Sequence, residues 1–565
     1  MTKIQEPIKN RLPYTIPDRN DWPIAKLSAD KESFLKEVIE KTEDSIYQKL
    51  NTPELLHNEL KSILFKEKNR LTKEAWKSDK PEESIFWSEI KKKILDADTI
   101  ENSEEQYKKN KKLMHSILTH YANEIVANFE PKTHQFARKV LPWVFSRLMN
   151  ASPGKRWRFL WASRKTIYEK LNITGPIEQI RELSNKGTVI IVPTHFSNLD
   201  SPTIGFVVDS IGLPAMTYGA GINLFTLKLL SRWMNDLGAY KVDRRKKNMP
   251  YLELLKSYSS VAIQRGAHSL FFPGGTRSRS GALEDKLKLG LLGTAIEAQR
   301  VNLERYTEDS AKKIFIVPVV LNYHFVIEAE SLINQHLSIV GQEQYIASNK
   351  GVSTSYKIVQ LLFKFFKANP GMTISFAKPM DVFGNNIDDE GNSINEIGQK
   401  VSIKDYFTLN GELTEDRQRE GVYTRKLAEK IAEKFHSSNT VLTSHLLAFT
   451  AFEMIKNANK MLDIYEILRI PEDEIVINIE ALKVAIEKVK TKIMKLRDEG
   501  KIQVSSHLEK DTDHIITHGL KNLGVYHSQL PLIKKDKQTI ITQNIKLLFF
   551  YHNRLEGYQL EKLFV

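Results

Sequence analysis

The chain has no cysteine. Disulfide bridges, thiolate metal sites and a cysteine nucleophile are therefore excluded, which fits a reducing compartment. Long apolar stretches are also missing. The longest run free of charge, 210–227, is broken by Gly212, Pro214, Gly219 and Gly221 and reads as buried core and loop, not a membrane span. The first residues, MTKIQEPIKNRLPYTIPDRN, hold no apolar run, so no signal peptide is predicted. Acid is absent from one stretch, 131–168, which carries no Asp or Glu but holds Arg138, Lys139, Arg147, Lys155, Arg156, Arg158, Arg164 and Lys165. Trp143, Phe145, Trp157, Phe159 and Trp161 are interleaved with them. That mixture suits an anionic bilayer interface, stacking on nucleic-acid bases, or a pair of packed helices with a solvated basic face.

What is present is a large and basic soluble chain. At 565 residues it exceeds one compact domain, so about two to four units are expected. Its net charge of +14 points to an anionic partner: a phosphate-bearing substrate, an acidic protein, a lipid surface or a nucleic acid.

Helical periodicity dominates the first part, with 31–50, 83–98 and 104–129 as candidates. From Gly187 the texture becomes α/β. Strand-like runs at 188–192, 269–272, 314–321 and 372–377 alternate with helical stretches at 224–236, 251–265 and 287–298. This alternation predicts an α/β fold, a mixed sheet covered by helices. Helices return after 410, at 424–435, 440–457 and 478–499. In the last, Ile479, Leu482, Ile486, Val489, Ile493 and Leu496 step by three and four, and Gly500 supplies a stop. The expected division is a helical region over 1–137, an α/β domain over 138–410 and a mostly helical region over 411–565.

Residues 188–200, TVIIVPTHFSNLD, organise the rest. A buried strand ends at Pro193 and delivers His195 to a loop. A helix is expected to start near Asn198 or Asp200, both good N-cap residues, with Pro202 in its first turn. This places imidazole beside carboxylate: Asp200 accepts from one ring nitrogen and frees the other to take a proton. The spacing alone is weak; its weight comes from three further motifs downstream. Residues 238–245 read GAYKVDRR, and 271–281 read FFPGGTRSRSG. Here glycines let backbone N–H groups converge, hydroxyls add donors, and guanidinium can bind phosphate bidentately, although a solvated basic turn would look the same. The run lacks the Walker spacing and its lysine, so nucleoside triphosphate binding is not expected. Residues 316–323, IVPVVLNY, read as a buried strand with an internal proline, hence near an edge or a bulge.

HFSNLD, GAYKVDRR, FFPGGTRSRSG and IVPVVLNY, in this order, resemble the four blocks of the glycerolipid acyltransferase superfamily, and within it the long glycerol-3-phosphate acyltransferases. GAGINL at 219–224, Tyr251 and the SRSG run also look like that branch, and the likeness covers about 138 to 332; LLFFYHNRL at 547–555 is similar in flavour. The resemblance implies a peripheral O-acyltransferase at the cytoplasmic face of a membrane. Its acceptor would be glycerol 3-phosphate and its co-substrate acyl-CoA or acyl-ACP (acyl carrier protein); no cofactor, metal or nucleic acid is expected. It implies His195 as general base, Asp200 as its orienting acid, and Arg244, Arg277 and Arg279 as phosphate ligands, with Gly275 and Thr276 shaping that site. One departure stands out. The family usually has Glu before Gly-Thr-Arg in the third block, where this chain has Gly274. Other phosphate acceptors, lysophosphatidate or dihydroxyacetone phosphate, therefore stay open, as does a non-catalytic basic binding protein.

Overall fold

The computed structural model describes residues 11–74, 79, 81–149, 171–222, 228–308, 310–340 and 371–564. Residues 150–168 of the tryptophan-rich basic stretch, including Arg156, Trp157, Arg158 and Trp161, lie outside these residues, as do Leu224 and the first turn expected at 224–236.

One seven-stranded sheet holds the centre. Its strands are β1 (Leu171–Thr174), β2 (Gly187–Pro193), β3 (Thr217–Gly221), β4 (Ala239–Val242), β5 (Ser269–Leu270), β6 (Lys313–Tyr323) and β7 (Met372–Phe376), in the spatial order β1-β7-β6-β2-β5-β3-β4. From β6 to β4 all neighbours run parallel, and β6 with β7 is the antiparallel pair. The sheet is mixed and helices cover it, as the alternation predicts. Val189 to Val192 in β2 are completely buried, which is why this strand reads as a continuous apolar run: it is covered on both faces.

Several local expectations need correction. β1 and β3 carry little strand signal, because β1 is four residues long and β3 is glycine-rich, TYGAG, inside the run read as core and loop. Pro318 lies in β6, which has neighbours on both sides and is not an edge. The alternative, a bulge, is what the register contains: Val319 faces Phe376 but Ile316 faces Met380, so two residues of β6 oppose three of its neighbour. The missing N–H of Pro318 falls in this gap. The helix after His195, Asp200–Ser210, has Leu199 at its N-cap position with no side-chain cap, because the Asp200 carboxylate is engaged elsewhere. The helix expected from 440 starts at Thr443, since Thr440 and Val441 pair as a short strand with Gln503 and Val504.

Two large apolar clusters hold most of the buried apolar side chains among the described residues. One unites the N-terminal helices Lys31–Lys49, Pro53–Lys73, Pro81–Asp98 and Ser103–Ile125 with Tyr240 of β4 and one face of Met249–Gln264. The other begins at Leu171, contains β2, β6 and β7, and continues without a break through the C-terminal helices to Leu560. Helix Ile479–Asp498 joins it through the six residues that the periodicity selects, and Asn478 caps its first turn by accepting from Glu480 and Ala481.

Candidate active site

Because β2, β3, β4, β5 and β6 are parallel, their carboxyl ends share one edge of the sheet, where open α/β sheets place their ligands. His195 follows β2, the turn Phe271–Ser280 follows β5, Arg244 follows β4 and Glu328 follows β6. Chain segments far apart in sequence therefore meet at this edge.

Thr194 clips the start of the loop to β6: its N–H donates to Val319 O at 2.9 Å and its Oγ1 accepts from Leu321 N at 3.2 Å. His195 Nδ1 then lies 2.8 Å from Asp200 Oδ2. The same oxygen accepts from the N–H groups of Phe196 (2.6 Å) and Ser197 (2.8 Å), and Oδ1 accepts from Tyr323 Oη at 2.6 Å. An ionised carboxylate only accepts, so opposite it a neutral His195 carries its ring proton at Nδ1. The lone pair is left on Nε2. Burial, and next the charge of Asp200, push the Tyr323 phenol well above its ordinary value, which keeps it a donor. The His195 ring stacks on Phe272, centroids 4.2 Å apart, and its side chain is 15% exposed, so the imidazole is held on one face and still reaches solvent.

The arginine-bearing turn is tied to the same loop. Ser278 N donates to His195 O at 2.7 Å. Gly275 has φ +75°, a conformation that side chains disfavour, and its N–H returns to Phe272 O at 3.0 Å. Gly281 (φ +89°) passes so close to Phe550 that a Cβ would lie 2.1 Å from its carbonyl oxygen. Arg277 Nη1 is 3.3 Å from Glu328 Oε1. Glu328 also accepts from Ser197 Oγ at 2.9 Å and Asn198 N at 3.0 Å, so it bridges the histidine loop to the arginine turn.

A family model described as acyltransferase matches residues 174–322. The glycerol-3-phosphate acyltransferase of Pseudomonas paraeruginosa is 24% identical over 220 residues, 39% of this chain and 23% of that protein. The enzyme of the same name from Alteromonas mediterranea is 25% identical over 253 residues, 44% of this chain and 27% of its own. Residues 174–322 thus carry an acyltransferase domain. The chain spans about a quarter of the length of these curated relatives. Among solved structures, the 1-acyl-sn-glycerophosphate (LPA) acyltransferase of Thermotoga maritima aligns over 53% of this chain and 81% of its own, at 14% identity and a TM-score of 0.24.

Within the acyltransferase domain, His195, Asp200, Gly275, Thr276 and Arg277 come together through the contacts between loop and turn, and Thr276 and Arg279 are exposed on the same turn. Arg279 also lies close enough to His336 that its charge, after burial, lowers that imidazole. Arg244 is exposed at the same edge but leaves β4, three strands from β2, roughly 14 Å away at about 4.8 Å per strand. Its neighbour Arg245 is turned inward to Asp79 (2.6 Å) and Asp243 (2.7 Å). Sequence reasoning missed three residues that the structure places at this candidate site: Tyr323, Glu328 and Arg554. Tyr323 ends the fourth block and is readable there only as pocket lining. Arg554 comes from the C-terminal HNRL run; its guanidinium lies 3.6 Å over the Phe196 ring and donates to Leu321 O at 2.7 Å, and burial lowers it to about 10, which keeps it cationic at neutral pH.

Proposed function

We propose that the chain transfers a fatty acyl group from acyl-CoA or acyl-ACP to the hydroxyl of glycerol 3-phosphate, giving lysophosphatidate, with His195 as general base. His195 Nε2 takes the hydroxyl proton as the oxygen attacks the thioester carbonyl. The tetrahedral intermediate collapses with cleavage of the C–S bond, and the imidazolium returns its proton to the leaving thiolate. Asp200 holds the ring in one tautomer and balances its charge. No acyl-enzyme, metal or redox cofactor is needed for this step. Arg277 and Arg279, with Arg244 at longer range, hold the acceptor phosphate, and Gly275 and Thr276 shape its seat; Arg277 exchanges Glu328 for phosphate on binding. Holding the hydroxyl against the base supplies much of the rate.

The observation that carries this reading is the His195–Asp200 pair at 2.8 Å, tied by backbone to the arginine turn at the carboxyl edge of the sheet. The names of the curated relatives favour glycerol 3-phosphate among phosphate acceptors. No described helix is long and apolar enough to cross a membrane. A peripheral site on an anionic, cytoplasm-facing membrane surface would give access to acyl products through the basic charge. The test supplies purified protein with labelled acyl thioester and glycerol 3-phosphate, lysophosphatidate or dihydroxyacetone phosphate in turn. Labelled lysophosphatidate from glycerol 3-phosphate is the expected product. Product from another acceptor alone corrects the substrate, and none from any acceptor overturns the reading.

A further inference from the structure

Gly274 is glycine for want of space, not for backbone freedom. Its φ lies outside the positive region that Gly275 occupies, so a side chain is conformationally allowed there. What occupies that space is Glu284, whose carboxyl would have to move: a Cβ at Gly274 would lie 2.3 Å from Glu284 Oε1 and 2.6 Å from its Cδ. Glu284 is half-buried as a residue, but both carboxyl oxygens are shut off from solvent, and neither makes a hydrogen bond among the described residues. The groups facing them are the backbone N–H of His195, the Asp200 carboxylate and the Arg554 guanidinium. Two carboxyls and one buried cation thus share the space beneath the histidine loop.

We infer that Glu284 is a positioning residue whose carboxyl enters from the later loop and fills, against the arginine turn, the place a side chain at Gly274 would take. This rests on His195 being the base. The carboxylate missing at position 274 is thereby supplied ten residues later, and glycine at 274 is the condition for it. Burial, then the charge of Asp200, raise the Glu284 carboxyl to about 8, so it is neutral at pH 7 and able to donate. An acid raised on folding costs stability progressively as pH rises from its unfolded value of 4.5 to about 8.

The test compares wild type with E284A, E284Q, G274E and the double variant G274E/E284A. E284A is expected to lower kcat at least about tenfold with the acceptor KM within about threefold, and moving the carboxyl to position 274 in the double variant to restore kcat to within about threefold of wild type. A purely structural role would not give that rescue. A kcat for E284A within about twofold of wild type, or a double variant no better than E284A, overturns the inference. Thermal midpoints decide it without substrate. G274E should lower the midpoint when Glu284 is present and not when it is Ala; an equal cost in both backgrounds overturns the shared place. E284Q should gain midpoint over wild type increasingly between about pH 5 and about pH 8, and a gap independent of pH counts against the neutral buried acid. Wild type without turnover on any acceptor would remove the proposed reaction, while this thermal cycle would still judge Glu284.

Discussion

At the scale of single residues, the site is a problem of donors and acceptors around Asp200. Four donors point at two oxygens with no water-facing surface. Asp200→Asn puts an NH2 group among those donors and leaves at least one unsatisfied, a cost of about 1–3 kcal/mol. It also lets the imidazole turn to the wrong tautomer, so kcat should fall by at least about a hundredfold; urea unfolding and steady-state rates measure the two effects separately. Tyr323→Phe removes one donor and should cost about 1 kcal/mol while lowering kcat and leaving the acceptor KM unchanged. His195→Ala, at a partly open position, should abolish turnover with little change in the unfolding midpoint; turnover persisting near the wild-type rate would remove His195 as base. His195 and Asp200 are legible in sequence because both lie in one short loop and the carboxylate reaches back four and five residues. Tyr323 is not, since it lies 123 residues from the acid it serves and looks like any aromatic at a strand end.

At the scale of elements, parallel strands turn the order of the motifs into proximity. The strongly apolar strands β2, β6 and β7 are readable from composition, but their adjacency is not, because β7 is inserted beside β6 in antiparallel sense across a long excursion. The meeting of the histidine loop with Glu328 is likewise tertiary. Arg277→Ala should raise the acceptor KM by about tenfold with a smaller change in kcat, since the phosphate loses a bidentate partner; an unchanged KM refutes the phosphate role. The helical N-terminal region is joined to the segment after β4 by charge. Arg70, 3% exposed, meets Glu67 (2.6 Å), Glu83 (3.0 Å), Asp79 (3.1 Å) and Asp243 (3.7 Å), while Arg245 binds Asp79 and Asp243. Buried acids of one sign need that cation. Arg70→Met should therefore destabilise by about 3–5 kcal/mol, seen as a lower urea midpoint at unchanged slope. In sequence only Asp243 and Arg245 stand out, within GAYKVDRR, while Glu67, Arg70 and Glu83 look like ordinary surface charges of helices.

At the scale of the molecule, the C-terminal region and the sheet share one apolar cluster, so the histidine loop is supported from residues 545–564. Helix Ile545–His552 and the turn after it bury Ile545, Leu547, Leu548, Phe550, Tyr551, Leu555 and Leu560. Tyr551 Oη accepts from Val326 N at 2.9 Å, just before Glu328, and Phe550 closes on Gly281 behind the arginine turn. Arg554 lies on Phe196, within the histidine loop itself. Deleting 545–565 exposes the partners of these side chains, and at about 1.5–3 kcal/mol for each large apolar group the loss is roughly 10–20 kcal/mol. That equals or exceeds the about 5–15 kcal/mol by which domains are usually stable. The truncated chain should therefore aggregate or bind a hydrophobic dye, and show no turnover. Arg554→Leu separates packing from electrostatics: it keeps apolar volume over Phe196 but removes the cation that faces Asp200 and Glu284. Ionising Glu284 beside Asp200 then costs more, because no buried cation offsets the repulsion. The folded site loses more stability as pH rises, so turnover should fall earlier on the alkaline side than in wild type. A pH–rate profile superimposable on that of wild type would mean that Arg554 only fills space.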